Sequence, residues 1–190
     1  LGSETIYSNS LGLSLEVPQG TNQVGASQPG QPAFIVLREG STPPRWSLRM
    51  ERLVSEAATA TDLLLELIGR GESQGASVEI LAREPIRIGD QEASTTWISE
   101  SQPNGKNVVF GWLVLPTVRN DYVVATAITL PSHWETTRAD MAAIFGSLSV
   151  QDPTTMAVDR DAMLQRGGQL VRSLSEDDLR KLIGFKELRR

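Results

Sequence analysis

The run Val108–Leu115, VVFGWLVL, constrains this chain more than any other stretch of its sequence. Apolar residues occupy both alternating positions, which a strand wetted on one face does not need, so a central strand covered on both faces is expected. Something must pack on each side of it. Neighbouring runs supply the rest of a sheet. Tyr122–Leu130 follows after a turn at Val118–Asp121, and Ala93–Ser99 carries Trp97 and precedes Asn104-Gly105, a pair that tolerates the positive φ of a type I′ hairpin turn. Val78, Ile80, Ala82, Ile86 and Ile88 form an earlier strand ending at Gly89-Asp90, giving an antiparallel meander of about four strands.

Upstream, Thr5–Ser8 and Leu11–Val17 read as a first hairpin stopped by Pro18-Gln19-Gly20, and Thr21–Pro32 has loop chemistry. Ala33–Arg38 and the alternating Trp46, Leu48 and Met50 flank a turn at Gly40–Pro44. Two helices are expected as covers. Thr59 and Asp62 make a capping box before Leu63, Leu64, Leu65, Leu67 and Ile68, with Gly69 and Gly71 as the stop. Ser132 and Glu135 have the same spacing and open a helix whose stripe is Trp134, Met141, Ala142 and Phe145. A short strand, Ser147–Val150, ends at Asp152-Pro153, where the domain boundary is expected.

The fold class is therefore α+β: an antiparallel meander with helices on its faces (residues 1–152), followed by a C-terminal helical hairpin or connector (residues 153–190). In that tail Leu170, Leu174, Leu179, Leu182, Ile183 and Phe185 fall on apolar stripes. They either pack back on the body or form an interaction surface for a protein partner or downstream domain. The chain opens on Leu1 and stops at Arg190 soon after apolar Phe185 and Leu188, which fits a processed or excised form whose polypeptide continues.

A length of 190 residues suits one core. No apolar run approaches the length that spans a bilayer. The chain has no Cys, which excludes disulfides, thiolate metal sites and Cys nucleophiles. Net charge is −5, with 10 Lys+Arg against 17 Asp+Glu in residues 1–155 and 8 against 6 beyond. An acidic body repels phosphates and disfavours nucleic-acid binding. A lone His133, sitting at a helix start, leaves no material for a triad or a His-based metal site. Gly69-Arg70-Gly71 with Gly75 lacks phosphate-loop spacing and follows a helix rather than a strand. Asp159, Asp161 and Glu176–Asp178 read as helix-start charges. Glu79, Glu84, Asp90 and Glu92 cannot be paired by sequence alone, so a carboxylate-based hydrolase or small-ligand-binding domain stays the alternative. Trp46, Trp97, Trp112 and Trp134 read as core or helix–sheet packing, with Trp112 and Phe110 in the core. No cofactor or metal is called for.

Four segments, YSNSLGLSLEVP (7–18), IRIGDQEASTTWIS (86–99), DYVVATAITLP (121–131) and MAAIFGSLSV (141–150), together resemble the PsbP-like fold family of the photosystem II extrinsic protein and a Ran-binding nuclear transport factor. The resemblance covers about residues 5–152. It implies binding and assembly rather than catalysis, frequently in exported bacterial proteins of the periplasm or envelope, and it carries over no functional residue.

Overall fold

The structure, a computed structural model, describes residues 2–8, 11–25, 33–37, 45–119 and 121–151. The expected helical tail, with Leu170, Leu174, Leu179, Leu182, Ile183 and Phe185, lies outside these residues, as do the Gly40–Pro44 turn and residues 26–32 of the expected loop.

Among the described residues ten strands form two antiparallel sheets. The larger has seven strands in the order β3 (Thr21–Gly25), β4 (Ala33–Leu37), β5 (Trp46–Leu53), β9 (Tyr122–Thr129), β8 (Asn107–Pro116), β7 (Gln91–Ser101) and β6 (Ser77–Ile88). β8 sits inside it, as its two-sided apolar pattern requires. The smaller sheet pairs β1 (Ser3–Ser8) with β2 (Leu13–Pro18) and adds the two-residue β10 (Ser149–Val150) on the other edge of β2. The α-helices among the described residues are α1 (Ala60–Ser73) and α2 (Trp134–Gly146).

Alternation along the strands divides the core in two. One face of the large sheet presents Trp46, Leu48 and Met50 from β5, Trp97 from β7, and Val109, Leu113 and Leu115 from β8. These pack against Leu13, Leu15 and Val17 of the small sheet and Met141, Ile144 and Phe145 of α2. The opposite face presents Ile98, Trp112, Val114, Tyr122 and Val124 to Leu63 and Leu64 of α1.

Several local expectations change. Thr21–Gly25 is a strand, because register with Ala33–Leu37 satisfies its backbone despite loop-like composition. α1 runs through Gly69 and Gly71 to Ser73, so neither glycine stops it. The 99–108 hairpin is present, but a three-residue loop closed by Gln102 N–H to Lys106 O (2.9 Å) replaces the two-residue turn, with Gly105 at φ 79°. Ser132 lies inside a short 3₁₀ turn, Pro131–His133, and α2 has no side-chain cap. Its buried stripe is Thr137, Met141, Ile144 and Phe145, while Ala142 is exposed. Trp46, Trp97 and Trp112 are buried, whereas Trp134 and Phe110 are half-buried.

Candidate functional site: a groove beside the second helix

β6 reads in sequence as one run of even-numbered apolar residues, yet its register with β7 shifts between Ile80 and Ala82. The bulge changes which face those residues occupy. Val78 packs with the α1 core, whereas Leu81, Ala82 and Ile86 pack with the core beneath α2. Glu84, opposite Thr95, therefore stands on the α2 side. Here β6, β7 and α2 enclose a groove of about 180 Å³ lined by Glu84, Pro85, Ile86, Thr95, Trp97, Arg138 and Ala142.

Each wall has a cause. On the floor, the Trp97 ring is laid over Gly111 of β8: a Cβ there would come within 2.6 Å of Trp97 Cη2 and Cζ3, so the glycine in VVFGWLVL is required by close approach. On the rim, Trp134 and Arg138, four apart and so on one helix face, stack with the guanidinium carbon 5.3 Å from the ring centroid. Trp134 is tilted 55° against Trp97 at 6.4 Å. Arg138 Nε reaches Glu84 Oε1 at 3.3 Å, and its Nη1 reaches Glu135 Oε2 at 3.4 Å.

α2 is held in place by polar side chains as well as by its core stripe. Asp140 accepts from Trp46 Nε1 (3.0 Å) and pairs with Arg45. Thr129 Oγ1 donates to the Arg45 carbonyl (2.9 Å), which leaves Thr137 to donate to Thr129 Oγ1 across 3.0 Å. At the opposite end Ser147 Oγ accepts from Glu16 N–H (2.8 Å), tying the helix to the small sheet. The groove is thus preorganised on rigid elements.

A second concavity, about 340 Å³, opens at the start of α1 between Ala60, Thr61 and Leu64 and the residues Gln91–Ser94, Trp112, Val114 and Pro116. Away from both, Arg52 makes a two-pronged ion pair with Asp121 (3.1 and 3.2 Å) and donates to the Leu11 carbonyl (2.9 Å), joining the two sheets. His133 is exposed, and Gly69 and Gly71 are helical. Among the described residues no group of three or more His, Cys, Asp or Glu could hold a metal ion. Of the carboxylates left unpaired by sequence, Glu84 is the one the fold places in the groove.

Sequence reasoning missed this site because its residues come from three separate stretches. The legible signals were the Trp134–Arg138 spacing and the inward alternation of Thr95 and Trp97.

The architecture is that of the PsbP/Mog1 fold, shared with solved structures of low sequence identity. No family model and no curated protein matches the sequence. Among solved structures, the chain is similar to the Ran-binding protein Mog1p of Saccharomyces cerevisiae at 15% identity, over 81% of this chain and 98% of that one, with a TM-score of 0.59. It is similar to cyanobacterial PsbP (CyanoP) of Synechocystis at 15% identity, over 78% and 92%, with a TM-score of 0.54. It is also similar to LpqN of Mycobacterium tuberculosis, described as involved in cell envelope biogenesis, at 16% identity over 80% and 91%, TM-score 0.51.

Proposed function

We propose that this chain is a non-enzymatic binding or assembly module of an exported bacterial protein, engaging a protein partner through the groove beside α2. The observation that supports it is the rim: Trp134 and Arg138, stacked above buried Trp97, combine the two residue types that dominate binding hot spots. Support of a different kind comes from Mog1p, a Ran-binding protein of the same fold, and from LpqN for the envelope. No described helix is long and apolar enough to cross a membrane. The stripe Leu170, Leu174, Leu179, Leu182, Ile183 and Phe185 is a second attachment in this reading, to a partner or a downstream domain.

A photo-crosslinking amino acid placed at Ala142 in the full chain, expressed in its native host, tests the proposal. A discrete adduct is expected there, weakened when Trp134 is also changed to Ala, and absent when the crosslinker sits at exposed Leu65 on α1. Equal labelling at both positions, or no adduct at Ala142, defeats it.

A further inference from the structure

Asn104 and Gly105 line neither groove, yet together they hold the parts of a reaction that needs no partner. They sit in the loop between β7 and β8, and both are exposed. Gly105 N–H donates to the Gln102 carbonyl (2.9 Å), Gln102 N–H donates to the Lys106 carbonyl (2.9 Å), and Asn104 Oδ1 accepts from Lys106 N–H (3.0 Å). An Asn oxygen held by the amide two residues on folds its carboxamide back over the intervening backbone. Cγ of Asn104 and the nitrogen of Gly105 are already joined through Cβ, Cα and the carbonyl carbon, so a bond between them closes a succinimide ring.

The loop favours that closure in two ways and opposes it in one. Gly105 carries no side chain, and a Cβ added there would meet nothing within 4 Å, so nothing crowds the attacking nitrogen and water has access to it. Lys106 N–H already donates to Oδ1, the oxygen on which negative charge develops as Cγ becomes tetrahedral, and a donor in place at that atom stabilises the charge. Against this, the Gly105 N–H bond to the Gln102 carbonyl must open before the nitrogen can attack. Asn22 and Asn107 differ on both counts: they lie in the ladders of β3 and β8, and the residues that follow them, Gln23 and Val108, carry side chains.

We infer that Asn104 is a self-modification site, converted in the folded chain to isoaspartate and aspartate. The Gly105 nitrogen gives its proton to water and bonds to Asn104 Cγ. The Cγ–Nδ2 bond then breaks, and Nδ2 takes a proton from water and leaves as ammonia. A second water opens the succinimide: addition at Cγ gives aspartate, and addition at the backbone carbonyl carbon gives isoaspartate, with the main chain now running through Cβ. One water is consumed and one ammonia released, with no oxidant or reductant. Either product puts a new negative charge on the loop, and isoaspartate also lengthens the main chain of the short connection between β7 and β8. The already acidic body thus gains charge with age and without an enzyme.

The full chain, kept at neutral pH in H₂¹⁸O, digested under acidic conditions and followed by mass spectrometry, tests the inference. Incorporation of ¹⁸O with loss of ammonia is expected at Asn104, with isoaspartate identified by its methylation by an isoaspartyl methyltransferase. Opening one loop hydrogen bond slows the reaction about tenfold, so the rate should fall within about a hundredfold of that in the free peptide acetyl-Gln-Pro-Asn-Gly-Lys-amide. Asn22 and Asn107 should stay intact, and Asn104→Gln should remove the signal. Aspartate without isoaspartate would mean direct hydrolysis and overturns the inference, as does conversion of Asn22 or Asn107 as fast as Asn104. So does a rate more than about a hundredfold below the peptide's, the behaviour of a site that reacts only after the whole domain unfolds. The crosslinking result at Ala142 has no bearing on any of these outcomes.

Discussion

The two helices cover opposite faces of one sheet by different means. α2 is joined to the rest of the fold by side-chain hydrogen bonds and ion pairs at Thr137, Arg138 and Asp140, in addition to Met141, Ile144 and Phe145 in the core. α1 lies on Ile98, Trp112, Val114 and Val124 through Leu63 and Leu64. Among the described residues no side-chain hydrogen bond or ion pair links α1 itself to the sheet. Tyr122 Oη donates to the Ala57 carbonyl (2.8 Å) just ahead of the helix, and the Thr59–Asp62 cap is internal to it. Apolar contact fixes distance, whereas directional bonds also fix register and tilt. The groove lies beside the helix whose orientation is specified.

The largest expected effect falls on the α2 side. Trp97→Ala removes a fully buried ring that fills the space over Gly111 and meets Trp134, and should cost about 3–5 kcal/mol in denaturant unfolding. A loss under about 1 kcal/mol would mean that the face beneath α2 is not the tightly packed one. Asp140→Asn is the next test. It keeps an oxygen for the Trp46 indole but removes the charge opposite Arg45, at a site about one-fifth exposed, so about 1–2 kcal/mol is expected. If the pin orients α2 as argued, crosslinking from Ala142 should also decline more than the stability loss accounts for. Unchanged crosslinking at reduced stability would make Asp140 a stabilising contact with no part in holding the groove.

How far the sequence could go is visible in particular elements. β8 was legible because its two-sided apolar pattern is local and has one physical meaning. The Thr59–Asp62 cap was legible because both partners lie within one turn, and Asp62 N–H does donate to Thr59 Oγ1 at 3.1 Å. The identical spacing at Ser132–Glu135 misled because Pro131 starts a 3₁₀ turn, with His133 N–H bonded to the Leu130 carbonyl, and so moves Ser132 off the cap position. The separate small sheet was not legible: β10 contributes two residues and pairs with β2 from more than 130 positions away. Nor was the groove, since a one-residue bulge at Leu81 decides that Glu84 and Ile86 face α2, and nothing in an unbroken even-numbered pattern announces a bulge.

The smallest effect separates the helices most cleanly. Thr59 caps α1 through a single hydrogen bond, and Thr59→Ala should cost about 1 kcal/mol. Where a segment opens as its own unit, such a loss appears only in the exchange rates of its own amides. If apolar packing alone holds α1, its amides between Leu64 and Ser73 should exchange about fivefold faster in the variant, while those of α2 and β8 keep their rates. A uniform fivefold acceleration across α1, α2 and β8 would show that α1 opens only with the whole domain. The contrast between the covers would then be one of orientation and not of stability, since a helix without polar pins can still be bound into one cooperative core.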